Sequence, residues 1–175
     1  MTETRRLYYE DVYRKEFTAT VLECRERKNG FAVILDESAF YPEGGGQPSD
    51  VGTLGDVKVT EVHEKDGELL HYTEQALEVG AKVEGKIDWA RRFDLMQQHS
   101  GEHMVSGVIH AKYGYDNVGF HMGSDVITVD LNGMLDEAQL AEIEREVNEK
   151  VWEDKEVVIL SLIHISEPTR LDVIS

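Results

Sequence analysis

At 175 residues the chain is long enough for one ordinary domain or two small ones, and 41% apolar residues suffice for a packed core. No apolar run approaches the ~20 residues that span a bilayer, and Cys24, the single cysteine, excludes a disulfide framework and any cysteine-rich zinc motif within the chain. With 35 acidic against 18 basic residues, the net charge of −17 disfavours nonspecific binding to a polyanion, so any contact with nucleic acid must rest on a local site or on residues outside this chain.

Arg5 and Arg6 stand near the start with no apolar stretch behind them. Residues 1–9 are therefore not read as a secretory signal, and a cytoplasmic location is expected. The first half of the chain reads as β. Residues 17–24 and 31–36 are strand-like runs joined through Lys28-Asn29-Gly30, and Asn-Gly between such runs is a hairpin signal. Cys24, inside the first run, reads as a small buried residue. Next, Pro42 and Pro48 bracket Gly44, Gly45, Gly46 and Gln47, a stretch that neither a helix nor a strand ladder can use. Residues 57–63, 68–73 and 81–87 are further strands, with Asp66-Gly67 marking a turn. Short strands at this density predict a small barrel or meander.

At Asp88 the period changes. Asp88 is an N-cap candidate, and Trp89, Phe93 and Met96 follow at helical spacing. The helix is expected to reach about Lys112, with Gly114 near its end. Residues 126–131 alternate as a strand. Asp136 and Gln139 form a capping-box pattern. Leu140, Ile143, Val147 and Val151 then continue as one apolar stripe, which predicts an amphipathic helix over 136–152 with a solvated Glu-rich face. The boundary between the two parts falls near 85–88. Residues 156–160 give one more strand signal, but 160–170 shows no turn chemistry and no clean period. That string resembles the translation of a transposase adaptor used in sequencing libraries, so residues 160–175 are read as a non-native tail in which His164 has no claim as a ligand. The other reading is a genuine C-terminal strand.

The residues that carry chemistry lie in Gln98-His-Ser-Gly-Glu-His103. Positions four apart share one helix face, with Cβ atoms about 5–6 Å apart, so His99 and His103 can hold one metal ion. Phe93, Met96, His99 and His103 fall on one stripe, so the pair is expected to point toward the core. Gly101 and Gly107 each cost a helix about 1 kcal/mol relative to Ala, which makes sense if something approaches the backbone closely. The other reading is two histidines that happen to lie four apart. Zinc takes four ligands, or three plus water. His110 lies two turns beyond His103, too far to share the ion, and His121 reads as packed or substrate-facing. Glu102 is a candidate base, although helical geometry turns it about 100° from His103. The three glycines are either a plain tight loop or a loop whose backbone comes close to a ligand. They lack the context of a dinucleotide or phosphate loop.

Taken together, these segments resemble a known family. Phe40-Tyr-Pro-Glu-Gly-Gly-Gly-Gln-Pro-Ser-Asp-Val-Gly52 resembles the Gly-rich motif of the alanyl-tRNA editing proteins and of the alanyl-tRNA synthetase editing domain. Gln98-His-Ser-Gly-Glu-His103 resembles the family's His-x-x-x-His zinc motif, and Asn117-Val-Gly-Phe-His-Met122 with Thr128-Val-Asp-Leu131 resembles the strand pair after it. The resemblance covers roughly residues 10–159. It implies an α+β fold, with a small N-terminal β-barrel over 1–87 and a two-layer α/β sandwich over 88–159, shared with threonyl- and alanyl-tRNA synthetase editing domains. It also implies zinc-dependent hydrolysis of the ester joining serine or glycine to alanine tRNA. His99 and His103 carry over as ligands. The family completes its site with a later Cys-x-x-x-His that this chain does not contain, so weak zinc retention is expected. Glu102 stands where the synthetase form often has Thr. Gly44, Gly45, Gly46, Gln47 and Asn117 are candidate substrate contacts by position, and a site that hydrogen-bonds the serine hydroxyl would separate serine from alanine. The expected partner is mischarged alanine tRNA and no membrane. Three alternatives stand beside this reading: an editing-domain fragment of an alanine-tRNA ligase, a noncatalytic tRNA- or zinc-binding module, and an inert fragment, because half of the site is absent.

Overall fold

In the computed structural model the described residues are 4–123 and 126–156. They form β1 (Arg5–Arg6), a 3₁₀ turn (Leu7–Tyr9), β2 (Glu16–Arg27), β3 (Gly30–Leu35), β4 (Glu37–Ser38), β5 (Gly52–Leu54), β6 (Val57–Lys65), β7 (Glu68–Thr73) and β8 (Lys82–Ile87). Helix α1 (Trp89–Tyr113), β9 (Asn117–Met122), β10 (Ile127–Leu131) and α2 (Glu137–Trp152) follow. The architecture is α+β, with a large antiparallel sheet and two helices.

Residues 4–99 with 120–123 and 126–128 belong to the first of two compact units. Its main sheet runs β2-β3-β7-β6-β5-β8, and β8 pairs with both β5 and β2, so the order closes on itself. The pleat is written in the sequence. In β8, buried Val83, Gly85 and Ile87 alternate with exposed Lys82, Glu84 and Lys86. In β2, Phe17, Ala19 and Val21 point inward before a register shift between Val21 and Glu23. Asp66 and Gly67 both take positive φ (53° and 82°) between paired Lys65 and Glu68, the geometry that suits a twisted two-residue hairpin. Phe17, Phe40, Leu35, Leu54, Val59 and Leu69 belong to one core cluster. Each such side chain stabilises the fold by about 1.5–3 kcal/mol. Cys24 is half-buried against that cluster rather than fully enclosed.

Among the described residues, the core holds one imidazole. His71 is fully buried, its Nδ1–H donates to the Val33 carbonyl (3.0 Å), and its Nε2 accepts from the Ser38 hydroxyl (2.7 Å). Burial pushes its pKa from 6.5 down to about 4. Below pH 6.5 the unfolded chain therefore binds a proton that the folded chain refuses. Stability should fall by about 3 kcal/mol between pH 6.5 and about 4 and then level off. Urea unfolding of the protein and of His71→Gln at pH 7 and pH 4.5 checks this. The parent should lose more stability than the variant, and equal losses would contradict it.

The second unit comprises residues 100–119 and the described residues from Val129 on. Val108, Ile109 and Ile143 are its buried centre, with Val105, Leu131 and Val147 packed around them. The capping box of α2 is present as expected: the Gln139 amide donates to Asp136 Oδ1 (2.8 Å), and the Asp136 amide donates to Gln139 Oε1 (2.9 Å). The apolar stripe on α2 is covered only in its middle, because Leu140 and Val151 are 51% and 53% exposed.

Helix α1 starts where expected. Asp88 Oδ1 accepts from the Arg91 amide (3.2 Å), and Gly114, at φ 69°, closes the end by donating to the His110 carbonyl (2.9 Å). Its buried face corrects the expected one. Arg92, Leu95, Glu102 and Ile109 are buried, with His99 and Ser106 intermediate, at steps of three and four. Phe93 is 39% exposed, and the His103 side chain is 47% exposed. Two of the buried positions are charged residues, so counting apolar residues shifts the stripe by one position. The two-residue strands β1 and β4 pair in parallel, Arg5 with Glu37 and Arg6 with Ser38, and such short pieces carry no period to read. Apart from Glu156, the strand expected over 156–160 and the tail over 160–175 with His164 lie outside the described residues. Among the described residues, no helix is long and apolar enough to cross a membrane.

Candidate metal centre

One turn of α1 carries three candidate ligands. A ring nitrogen of His99, a carboxylate oxygen of Glu102 and a ring nitrogen of His103 lie within 4.8 Å of one another. Glu102 Oε2 stands 3.6 Å from His103 Nδ1, which corrects the expectation that the helix turns this carboxylate away. The Cα direction does diverge by about 100°, but the side chain bends back across the turn. Glu102 is buried, and its Oε1 accepts from the Ser106 hydroxyl at short range and from Asn117 Nδ2 (2.7 Å). Two donors on one oxygen fix the carboxylate and leave Oε2 directed at the imidazole. Asn117 is itself steadied, because its Oδ1 accepts from the Gly119 amide (2.9 Å).

His99 is half-buried and held from the Gly-rich loop. Its Nδ1 lies 2.7 Å from Gln47 Oε1, so Nδ1 carries the proton and Nε2 keeps a lone pair. The His99 ring also stacks on Phe120 at 5.6 Å and 26°. A ligating imidazole that donates its other N–H to an oxygen is the usual outer arrangement of zinc sites. Two imidazole nitrogens four positions apart are donors that zinc accepts, and the Glu102 carboxylate beside them is placed to act as a base. The residues present therefore fit zinc.

The Gly-rich loop has the geometry its composition implies. Gly44 and Gln47 exchange amide–carbonyl hydrogen bonds (3.2 and 3.0 Å), and Gly45 and Gly46 have φ of 59° and 81°. The close approach that Gly46 permits is to protein: a Cβ there would sit 2.8 Å from the Phe120 carbonyl oxygen. Gly44 and Gly45 have nothing within 4 Å at that position. Gly46→Ala should therefore destabilise the protein by more than about 1 kcal/mol, whereas Gly44→Ala should stay within about 0.5 kcal/mol. Thermal unfolding of the two variants compares them, and equal midpoints would contradict the packing of Gly46 on Phe120.

The structure thus brings His99, Glu102 and His103 together, joins Gln47 to the first and Asn117 to the second, and leaves Gly44 and Gly45 open. His110 is outside the set and pairs with Asp116 (2.9 Å), and His121 is exposed in β9. Sequence reasoning missed Ser106 and Phe120. Ser106 lies four residues after Glu102 and was legible at helical spacing. Phe120 carried no signal, because its place beside His99 depends on how β9 returns.

Residues 3–91 match the family model of the class II (A) tRNA synthetases. Among the similar curated proteins, the alanyl-tRNA editing protein Aarsd1 of Mus musculus is 38% identical over 156 residues, which cover 81% of this chain and 38% of the relative. The alanyl-tRNA editing protein AlaX-L of Pyrococcus horikoshii is 36% identical over 161 residues, covering 88% and 40%. An alanine–tRNA ligase of Pyrococcus abyssi is 39% identical over 167 residues, covering 90% and 18%. The chain spans about 40% of the length of the editing proteins it matches. On these matches the chain belongs to the class II (A) tRNA-synthetase family and is similar to alanyl-tRNA editing proteins over most of its length.

Proposed function

We propose that the protein is a zinc-dependent hydrolase that deacylates serine- or glycine-charged alanine tRNA in trans, in the cytoplasm. The single observation that carries this reading is the convergence of His99, Glu102 and His103 donor atoms on one turn, in a chain whose relatives are named alanyl-tRNA editing proteins. The proposal includes the organisation expected above: a small β-barrel over 1–87, an editing domain over 88–159 that shares its fold with threonyl- and alanyl-tRNA synthetase editing domains, and a non-native tail over 160–175. The closed order of the main sheet supports the first of these.

His99 and His103 would hold the ion. When bound, zinc supplies a Lewis acid that polarises the ester carbonyl and favours attack by water. The remaining work falls to the chain. Gln47 keeps the His99 ring in one tautomer. Ser106 and Asn117 occupy Glu102 Oε1, so Oε2 is the oxygen that takes the proton from the attacking water. Gly44 and Gly45, open on the side where a Cβ would stand, give the aminoacyl end room to come close to backbone. Gln47 and Asn117 contribute by orienting the groups the ester meets. A hydrogen bond to the serine hydroxyl would favour serine over alanine.

Release of free serine from Ser-tRNA(Ala) tests the proposal. Chelation should stop release and added zinc should restore it. Release that ignores the chelator would remove the metal from the mechanism. A second reading, in which the same site edits as part of a ligase, is favoured by the 39% identity to the Pyrococcus abyssi enzyme. Activity on tRNA charged by a separate ligase argues for the reading in trans.

A further inference from the structure

The Gly-rich loop is tied to α1 at two levels, and only one of them touches the donor set. At the tip, Gln47 accepts from His99. At the base, the Tyr41 amide donates to Asp50 Oδ2 (2.7 Å) and the Asp50 amide donates to the Tyr41 carbonyl (3.0 Å), which closes residues 41–50 into a loop. Arg92 grips that base. Its Nε lies 3.1 and 3.0 Å from the two Asp50 oxygens, and its Nη2 contacts Oδ2 at short range. The rest of the guanidinium donates to the Ala39, Val12 and Arg14 carbonyls. The side chains of Arg92 and Asp50 are 1% and 3% exposed.

A buried ion pair is a poor device for stability alone, since replacing it with apolar groups of similar volume is often neutral or stabilising. Its directional fork is good at fixing geometry. Arg92 and His99 are seven residues apart, two turns or about 10.5 Å along a rigid helix, and lie on one face. A loop clamped at its base to one turn can present its tip only to a matching turn.

We propose that Arg92 and Asp50 are a positioning pair, which sets the Gly-rich loop against α1 so that Gln47 meets His99 Nδ1 and Nε2 remains the metal-facing nitrogen. Its consequence for metal rests on the zinc reading above, but its geometry does not. Two-bond proton–nitrogen spectra of the metal-free protein read the His99 tautomer directly, and zinc alone, titrated against a chromophoric chelator, reads affinity. The parent should show a single Nδ1–H tautomer. In Asp50→Asn/Arg92→Met, Asn still accepts from the Tyr41 amide while the ionic link to α1 is cut and the Arg91 contact with the Ser49 carbonyl (3.4 Å) remains at the base. That variant should show mixed tautomers and about 10–100-fold weaker zinc binding, the loss typical of outer partners of zinc ligands. Arg92→Lys keeps the charge but not the fork, and should fall between the two even if the double variant does not fold. An Nε2–H tautomer in the parent would overturn the proposal. So would a folded variant, Arg92→Lys included, with the parent's tautomer and affinity. Failure to bind zinc in the parent strikes the functional reading instead, and the tautomer still decides this one.

Discussion

His103→Ala should weaken zinc binding and lower deacylation of Ser-tRNA(Ala) by at least about 100-fold, because even outer partners of zinc ligands are worth 10–100-fold. The side chain is 47% exposed, so truncating it leaves no buried cavity and the fold should survive. The effect is then on chemistry rather than on stability. His110→Ala is the matched control. It lies on the same helix, is exposed, and pairs with Asp116 rather than with the donor set, so that variant should keep the parent's zinc content and rate. Elemental analysis and initial rates on both variants check the contrast. If His103→Ala keeps the parent's zinc affinity and rate, the donor set on α1 is not the catalytic metal site.

Arg92→Met should be the most destabilising change at a charged residue, at about 3–5 kcal/mol. The loss comes mainly from Asp50, left as an uncompensated charge at 3% exposure with only the Tyr41 amide still donating to it. The carbonyls of Ala39, Val12 and Arg14 lose donors as well. Against a total stability of roughly 5–15 kcal/mol this is a large fraction, so the unfolding midpoint should fall steeply. Removing both charges should recover most of the loss, because the penalty belongs to the isolated carboxylate. Urea unfolding of Arg92→Met and of the double variant measures this. Equal destabilisation in both would place the cost in packing instead. The exposed pair of Arg5 with Glu10 offers the opposite case, where screening by water leaves little to lose.

How much of this was legible depended on whether a residue's role was local. The Asp66-Gly67 turn, the Asp88 cap and the Asp136–Gln139 capping box are set by neighbours within a few positions, and the sequence states them directly. The His99–His103 spacing is equally local. The buried face of α1 was not legible, because Arg92 and Glu102 occupy core positions and read as surface until their distant partners are known. Glu102 was placed by angle alone. Its carboxylate reaches His103 because Ser106 and Asn117 hold its other oxygen. Asp50 stands within the Gly-rich motif with no role legible there, while the structure makes it the base of that loop, with its partner 42 positions away. Long-range polar contacts of this kind leave no periodic trace.

The most direct test of the account is a single-turnover comparison of Ser-tRNA(Ala) and Ala-tRNA(Ala) with the zinc-loaded protein. Serine should be released while the alanyl ester survives. Zinc bound one-to-one with both esters intact, or both esters cleaved at the same rate, would contradict it.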